Sequence, residues 1–297
     1  MVSRWLAPAA AAACLPAAYP TSADASQLVD RKATDARLAV SADGKALVTY
    51  RARGRLRHVL ATGAINALAP TPGRQQVSFT MLYGRGMKSR RVFRRFANVC
   101  SAYDGPPLAW LVAACKAADG SYWALQSWQR ELPNYGVKAR GGQAARELRL
   151  SHWTGELPVL SITPGWAYRG RFDHLYGSFS YLGAPVYGFR TTKRGAPLDR
   201  WGRSLYVDTY NSAYGPGWRR ENGFLTRRGT GTFCYGFYNR GGRVGKGQLY
   251  RVTVAGPGVT PDVTWQGAAP GAYDPGRERE RGLSGLGPGG GNDHRLC

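Results

Sequence analysis

Acidic residues and histidines are scarce in this chain, so each can be weighed as a catalytic group. The 297 residues include 18 Asp and Glu and four His. Hydrolysis by acid and base catalysis needs two carboxylates, or a histidine with a carboxylate, in one cleft. Setting aside the Asp residues that precede glycine in turns, the groups that could meet in one cleft are His152, Glu156, Asp173, His174, Asp208 and Glu221. The preferred set is His152 and Glu156 with Asp173 or Asp208. A secreted glycan-acting hydrolase that uses these residues is one hypothesis.

Sequence motifs do not strengthen the hydrolase hypothesis. The chain lacks a G-x-S-x-G elbow, an H-E-x-x-H helix and a glycine-rich loop leading into a helix. Among so many arginines the few carboxylates are typical of ion-pair partners, and no catalytic residue is assigned. The histidines show no ligand spacing and no two cysteines form a C-x-x-C clip, so neither a metal nor a cofactor is expected.

Basic residues form two short clusters that suit anion binding. In residues 87–96, Phe93 and Phe96 are interleaved with five cations, namely Lys88, Arg90, Arg91, Arg94 and Arg95. A second cluster has arginine at alternate positions, Arg51, Arg53, Arg55 and Arg57, where Gly54 predicts a turn that makes a basic hairpin tip. Cations beside aromatic rings favour phosphate binding with ring stacking. The alternatives are a solvated loop or helix face and a charged edge strand.

Aromatic residues supply a further binding hypothesis. The chain has nine Trp, seventeen Tyr and nine Phe, many of them next to glycine. Most are expected to fill a wide β core. Trp166, Trp201 and Trp218 have turn-like, polar neighbours, and we predict that these three rings are exposed and stack on sugars.

The formal charge of +23 comes from 41 Lys and Arg against 18 Asp and Glu. A charge of this size holds anionic polymers near a protein surface. Only seven of the basic residues are lysines, and the chain is rich in Ala, Gly, Pro and Arg. This composition is also typical of a GC-rich genome, so codon bias is an alternative source of part of the charge.

The N-terminus resembles a secretory signal peptide. Basic Arg4 precedes the apolar stretch 5–18, which is too short to span a bilayer, and Ala23 and Ala25 are the small residues that a signal peptidase reads. We therefore predict that residues 1–25 are removed and that the mature protein is secreted. A lipid anchor at Cys14 is the weaker alternative, because a bulky residue is missing three positions before it. No later apolar stretch is long enough for a transmembrane segment.

Four cysteines remain after residue 25, and an even number in an oxidising compartment indicates disulfides. Three pairings are possible. We favour Cys100–Cys115, which closes a short loop, and Cys234–Cys297, which fixes the C-terminus.

Short apolar and aromatic segments between Gly, Pro and Asp predict the fold. Asp43-Gly44 and Asp119-Gly120 each separate two apolar runs, and both predict hairpins. A helix over residues 108–118 is the alternative for the second. Strands continue to about residue 254, so we predict a mainly β, antiparallel sandwich- or barrel-like body.

Four segments are expected along the chain. The signal peptide (1–25) is followed by a mobile entry segment (26–36) and a β-rich body (37–266). If the body has two lobes, the break falls near 133–146. The tail (267–297) is Gly, Pro and charge, and we expect it to be disordered.

Several phrases carry a family resemblance, among them Gly105 to Lys116, Leu148 to Leu160, Asn211 to Trp218 and Phe233 to Tyr238. Over roughly residues 36–275 the chain resembles an uncharacterised family of secreted proteins from high-GC Gram-positive bacteria. The family has no assigned activity. The resemblance implies export and one shared fold, and it assigns no functional residues.

These observations favour an exported, non-catalytic protein that binds an anionic cell-wall polymer or glycan through a basic, aromatic-rich surface. No specific nucleic-acid partner is expected. The oligomeric state stays open.

Overall fold

A computed structural model gives the fold. It describes residues 26–68, 77–84, 93–129, 145–167, 172–186, 190–191, 197–198, 203–221, 223–227, 232–237, 247–255, 260–272 and 274–276. The protein is mainly β with antiparallel sheets throughout, as the turn and strand signals predict. No helix in the described ranges is long and apolar enough to cross a membrane.

The first nine strands lie between Gln27 and Trp153. They are β1 (Gln27–Arg31), β2 (Thr34–Val40), β3 (Ala46–Ala52), β4 (Arg55–Gly63), β5 (Phe79–Tyr83), β6 (Ser101–Ala102), β7 (Leu111–Lys116), β8 (Tyr122–Trp128) and β9 (Glu147–Trp153). One sheet has the order β1-β9-β8-β7-β6, and the other has the order β2-β3-β4-β5. Both sheets contribute to one hydrophobic core of mainly Val, Ala and Leu side chains, so we call this unit the first sandwich.

Both predicted Asp-Gly hairpins are confirmed. The turn at Gly44 joins β2 to β3, and the turn at Gly120 joins β7 to β8. Both glycines have positive φ, 72° and 82°, which explains why glycine follows the aspartate there. The alternative of a helix over residues 108–118 is wrong, because Leu111–Lys116 pairs with the aromatic strand Tyr122–Trp128.

The second set of strands follows from Val159. It comprises β10 (Val159–Ala167), β11 (Phe172–Tyr181), β12 (Ala184–Pro185), β13 (Arg190–Thr191), β14 (Pro197–Leu198), β15 (Ser204–Ser212), β16 (Gly215–Arg220), β17 (Gly223–Arg227), β18 (Thr232–Phe237), β19 (Leu249–Ala255) and β20 (Val263–Ala268). One sheet runs β10-β11-β18-β17, with β12 beside β11. The other runs β13-β14-β15-β19-β20, with β16 beside β15. They share a second core, rich in Phe and Tyr, and form the second sandwich.

The structure describes one of the expected segments differently, and two others lie mostly outside the described residues. Residues 26–36, expected to be mobile, hold β1 and the start of β2, and β1 pairs with β9 from Gln27↔Leu150 to Arg31↔Glu147. β9 pairs with β8 and so belongs to the first sandwich, and the strands of the second sandwich follow from Val159. Most of the predicted break near 133–146 lies outside the described residues. Most of the predicted tail, residues 277–297, lies outside the described residues.

The predicted disulfide Cys100–Cys115 is present and links the start of β6 to β7. Hydrogen bonds to β2 also fix the two residues before Cys100. The amide of Val40 donates to Asn98 Oδ1 at 2.9 Å, and the amide of Val99 donates to the Val40 carbonyl at 2.9 Å. Cys234 is also disulfide-bonded. Cys297, its predicted partner, lies outside the described residues, so the second pairing stays a prediction.

A buried aspartate joins the two sandwiches. Asp262, one residue before β20, is 1% exposed and contacts the first sandwich. Its amide donates to Gln126 Oε1 and its carbonyl accepts from Gln126 Nε2, both at 3.1 Å. Trp128 Nε1 donates to Asp262 Oδ2 at 2.9 Å. The junction therefore depends on directional polar contacts in a water-poor site.

Candidate anion-binding site

A cavity of about 750 Å³ opens at one end of the first sandwich, and we call it the basic cleft. Residues from three separate segments line it: Arg55, Leu56, Arg57, His58, Tyr83, Gly84, Phe93 and Arg94. Both arginine clusters of the sequence therefore contribute to one cavity.

The hairpin between β3 and β4 positions the first wall of the cleft. Ala52 pairs with Arg55, so Arg53 and Gly54 form a two-residue turn, with φ values of 52° and 69°. Positive φ at both positions is the type I′ turn, whose twist matches that of paired strands. The turn fixes the register, and Arg55 and Arg57 follow on alternate positions of β4.

Aromatic rings also line the cleft. The ring of Phe93 stacks on His58 with centroids 4.3 Å apart and planes 21° from parallel. His58 Nδ1 lies 3.0 Å from Thr49 Oγ1. Burial lowers the pKa of His58, so its ring is neutral at neutral pH. The positive charge of the cleft therefore comes from its arginines.

One carboxylate offsets part of this charge. Arg57 Nη1 lies 3.4 Å from Asp30 Oδ2, and the Tyr50 hydroxyl donates to the same oxygen at 3.1 Å. The Tyr83 hydroxyl donates to the Val29 carbonyl at 3.1 Å, which holds its ring at the cleft wall. Among the described residues, neither Arg55 nor Arg94 has an ion-pair partner, and both are exposed. These two guanidinium groups are available to an anion.

The remaining predicted cations have other positions. Arg95 is exposed next to the cleft, and Arg51 lies 3.7 Å from Asp35 on an exposed surface. Lys88, Arg90 and Arg91 lie outside the described residues.

Three of the preferred hydrolase candidates, His152, Glu156 and Asp208, have described side chains, and these three do not converge. His152 is buried in the first sandwich, where it stacks on Trp123 at 3.8 Å, and Glu156 is exposed. Asp208 is buried on β15, where it accepts from Arg220 Nε at 2.5 Å and from Arg251 Nη2 at 3.0 Å. Asp173 pairs through its backbone with Trp166 at one end of the β10–β11 hairpin. Asp208 therefore has a structural role, because its buried carboxylate is ion-paired with two arginines.

Sequence reasoning missed a serine–histidine contact. His152 Nε2 lies 2.9 Å from Ser121 Oγ, the spacing of a nucleophile and its base. His152 Nδ1 donates to the Ala64 carbonyl at 2.7 Å, so Nε2 carries the lone pair when the ring is neutral. Ser121 is fully buried, however, and its hydroxyl also lies 2.6 Å from Asp119 Oδ1. A substrate cannot reach this hydroxyl, and the contact anchors the β7–β8 turn.

A second polar cluster brings two of the sequence candidates, Asp208 and Glu221, close together. Glu221 accepts a short hydrogen bond from Thr209 Oγ1, and both residues are buried in the second sandwich. Burial raises the pKa of Glu221 to about 7; the Thr209 hydroxyl opposes this rise and the nearby Asp208 carboxylate adds to it. Asp208 and Glu221 are both candidate acidic groups in the sequence, but the sequence does not show that they lie in one buried cluster.

Only one of the three predicted sugar-stacking tryptophans has a described side chain. Trp218 is half-buried, and its ring packs 5.2 Å from Tyr210 with the Arg251 guanidinium 4.1 Å from its centroid. Of Trp166 only the backbone is described, and Trp201 lies outside the described residues. Sugar stacking by these rings stays a prediction.

Among the described residues, no group of three or more His, Cys, Asp or Glu side chains could hold a metal ion. Comparisons with known proteins give no match to a family model, a curated protein or a solved structure.

Proposed function

We propose that this is an exported, non-catalytic protein that binds an anionic polymer of the cell envelope, or an acidic glycan, in the basic cleft. One observation carries the proposal: arginines from two distant stretches, Arg55 with Arg57 and Arg94, surround one cavity beside a stacked ring pair. The two most exposed of them, Arg55 and Arg94, have no described counter-ion.

The chemistry of the cleft suits a phosphate or carboxylate next to a sugar. A guanidinium group donates two parallel hydrogen bonds to such an anion. The Phe93 ring, backed by His58, and the exposed side chain of Leu56 offer apolar surface for the adjoining ring. A polymer that repeats this unit would also be attracted by the formal charge of +23.

The proposed location outside the cytosol agrees with the disulfide. Cys100 and Cys115 are bonded to each other, and such bonds persist in oxidising compartments. An envelope polymer is then the anion that the protein meets first.

Binding to purified cell walls tests the cleft, using walls before and after extraction of their phosphodiester-linked polymers. We expect Arg55→Gln with Arg94→Gln to weaken binding to intact walls by about tenfold or more, because charge-assisted hydrogen bonds are lost. The matched control is Arg51→Gln with Arg53→Gln, which removes the same number of charges outside the cleft, from the hairpin that also carries Arg55.

The two variant pairs separate specific from diffuse binding. Equal weakening by both pairs would assign binding to net charge and refute a cleft. Unchanged binding of the cleft variant would refute the proposal outright. Retention by the extracted walls as strong as by intact walls would exclude the phosphodiester-linked polymers as the ligand.

A further inference from the structure

Ser26, the residue that follows the predicted signal peptide, is buried at the junction of the two sandwiches. It is 0% exposed and directly precedes β1. Arg149 Nη1 donates to the Ser26 carbonyl at 2.6 Å. The residue that follows the predicted cleavage point is therefore buried and hydrogen-bonded in the fold.

Ser26 also contacts the joining aspartate. Its hydroxyl donates to Asp262 Oδ2 at 3.0 Å, across 236 positions of sequence, and Trp128 Nε1 donates to the same oxygen. The nitrogen of Ser26 is separated from this hydroxyl only by Cα and Cβ. Any charge on that nitrogen would therefore lie close to the Asp262 carboxylate.

We propose that the Ala25–Ser26 bond is the processing site of this protein and that its cleavage creates a buried ion pair between the new N-terminus and Asp262. Hydrolysis consumes one water. The C–N bond breaks, Ala25 leaves with the new carboxylate, and Ser26 keeps a primary amine that takes up a proton. The neutral peptide N–H of the precursor becomes an ammonium group in the mature protein.

The surroundings of Ser26 suit a cation. Asp262 is 1% exposed, and in a water-poor site the attraction between opposite charges is stronger than at the surface. The one cation that contacts Ser26 among the described residues, Arg149, is matched by Glu147, whose Oε2 lies 2.9 Å from Arg149 Nη2. Arg31, the other partner of Glu147, is half-exposed and screened by solvent.

The order of events follows from burial. A peptidase cannot reach a bond next to a fully buried residue, so cleavage precedes folding, while the exported chain is still extended. The ammonium group then enters the junction as β1 pairs with β9. Because β1 belongs to the first sandwich and Asp262 lies beside β20 of the second, the ion pair joins the two sandwiches only in the processed chain.

The first test is the N-terminus of the protein exported from its full-length precursor. Intact mass and N-terminal sequencing should show that it begins at Ser26. A different first residue would overturn the proposal.

The second test is a cycle of thermal unfolding on the exported protein. One change inserts a glycine between Ala25 and Ser26, which moves the ammonium one residue outward, and the other is Asp262→Asn. We expect the insertion to lower the melting temperature by about 3–6 °C when Asp262 is present, and to have little effect in the Asp262→Asn background. Equal lowering in both backgrounds would refute the ion pair. Ser26→Ala, which removes the hydroxyl and keeps the amine, should leave the effect of the insertion in place.

A chemical readout covers the case in which the Asp262→Asn variant does not fold. In the folded wild-type protein, the α-amine should be protected from acylation while the exposed Lys45 and Lys116 react. Unfolding should expose it. An α-amine that reacts in the folded protein as fast as in the unfolded chain would overturn the proposal.

Discussion

The two sandwiches use arginine in opposite ways. In the first, Arg51, Arg55 and Arg94 are exposed around a hairpin tip, and the core beneath them is mainly Val, Ala and Leu. In the second, arginines lie against aromatic rings. The Arg203 guanidinium is 4.5 Å from the Phe179 centroid, and that of Arg220 is 4.2 Å from Tyr206.

This difference shows that net charge overstates the cationic surface. Arg220 and Arg251 are mostly buried, and both bind Asp208. Stacking on aromatic rings and pairing with a carboxylate offset the free energy that is lost when a guanidinium group is removed from water. Arg149 is the buried example in the first sandwich. The arginines that can serve a ligand are the exposed ones at the cleft, Arg55 and Arg94. Three variants measure this contrast.

The largest expected effect comes from the buried cluster of the second sandwich. Asp208→Asn removes the charge that neutralises Arg220 and Arg251 and leaves two guanidinium groups in a water-poor site. We expect the free energy of unfolding to fall by about 3–5 kcal/mol, measured by urea denaturation. Asp104→Asn is the control. It breaks an exposed contact with Lys116 and should cause no resolvable change. Similar small effects for both would mean that the cluster is well hydrated.

Glu221 should make the second sandwich sensitive to pH. Burial raises its folded pKa from 4.5 to about 7, so the protonated carboxyl stabilises the fold below about pH 4.5. That stabilisation is lost as pH rises through about 7. The loss amounts to about 3 kcal/mol, and Glu221→Gln should remove it.

The measurement is the difference in unfolding free energy between wild type and Glu221→Gln at pH of about 5 and about 8. His152 in the first sandwich also makes stability depend on pH. Burial lowers the pKa of its ring, so the stability that the neutral ring contributes is lost as pH falls. Taking the difference between the two proteins cancels this contribution. A difference that does not change with pH would contradict the elevated pKa.

The smallest expected effect belongs to the cleft. Arg55→Gln with Arg94→Gln should change the free energy of unfolding by less than about 0.5 kcal/mol, because neither side chain is buried or ion-paired among the described residues. The same variant is expected to weaken wall binding by about tenfold or more. Large destabilisation, seen as a shifted urea midpoint, would place these arginines among the structural ones and remove the contrast.

Local structure was predictable where turn chemistry decides it. Asp-Gly at residues 43–44 and 119–120 fixes two hairpins, because glycine takes up positive φ there. The β1 strand was not predictable. Residues 26–36 look like a polar entry segment, and β1 within them is stabilised by pairing with β9, more than a hundred residues away. Such long-range pairing leaves no local signal.

The site was predictable in its parts only. Both arginine clusters and Phe93 stand out in the sequence, but their meeting at one cavity depends on how β4, β5 and residues 93–94 pack. Ser121 with His152 and Ser26 with Asp262 also join residues far apart in sequence. A single sequence shows which residues could do chemistry, and packing decides which of them meet.

The anchor at residues 98–100 has a consequence for ligand affinity. Asn98 and Val99 hydrogen-bond to Val40 at the end of β2, and the disulfide fixes the next residue, Cys100. Phe93 and Arg94 therefore lie only a few residues before a segment that is held in place. Folding has therefore already removed much of the conformational freedom of that wall. An anion that binds there meets a preorganised surface, and little of its binding energy is used to order the chain.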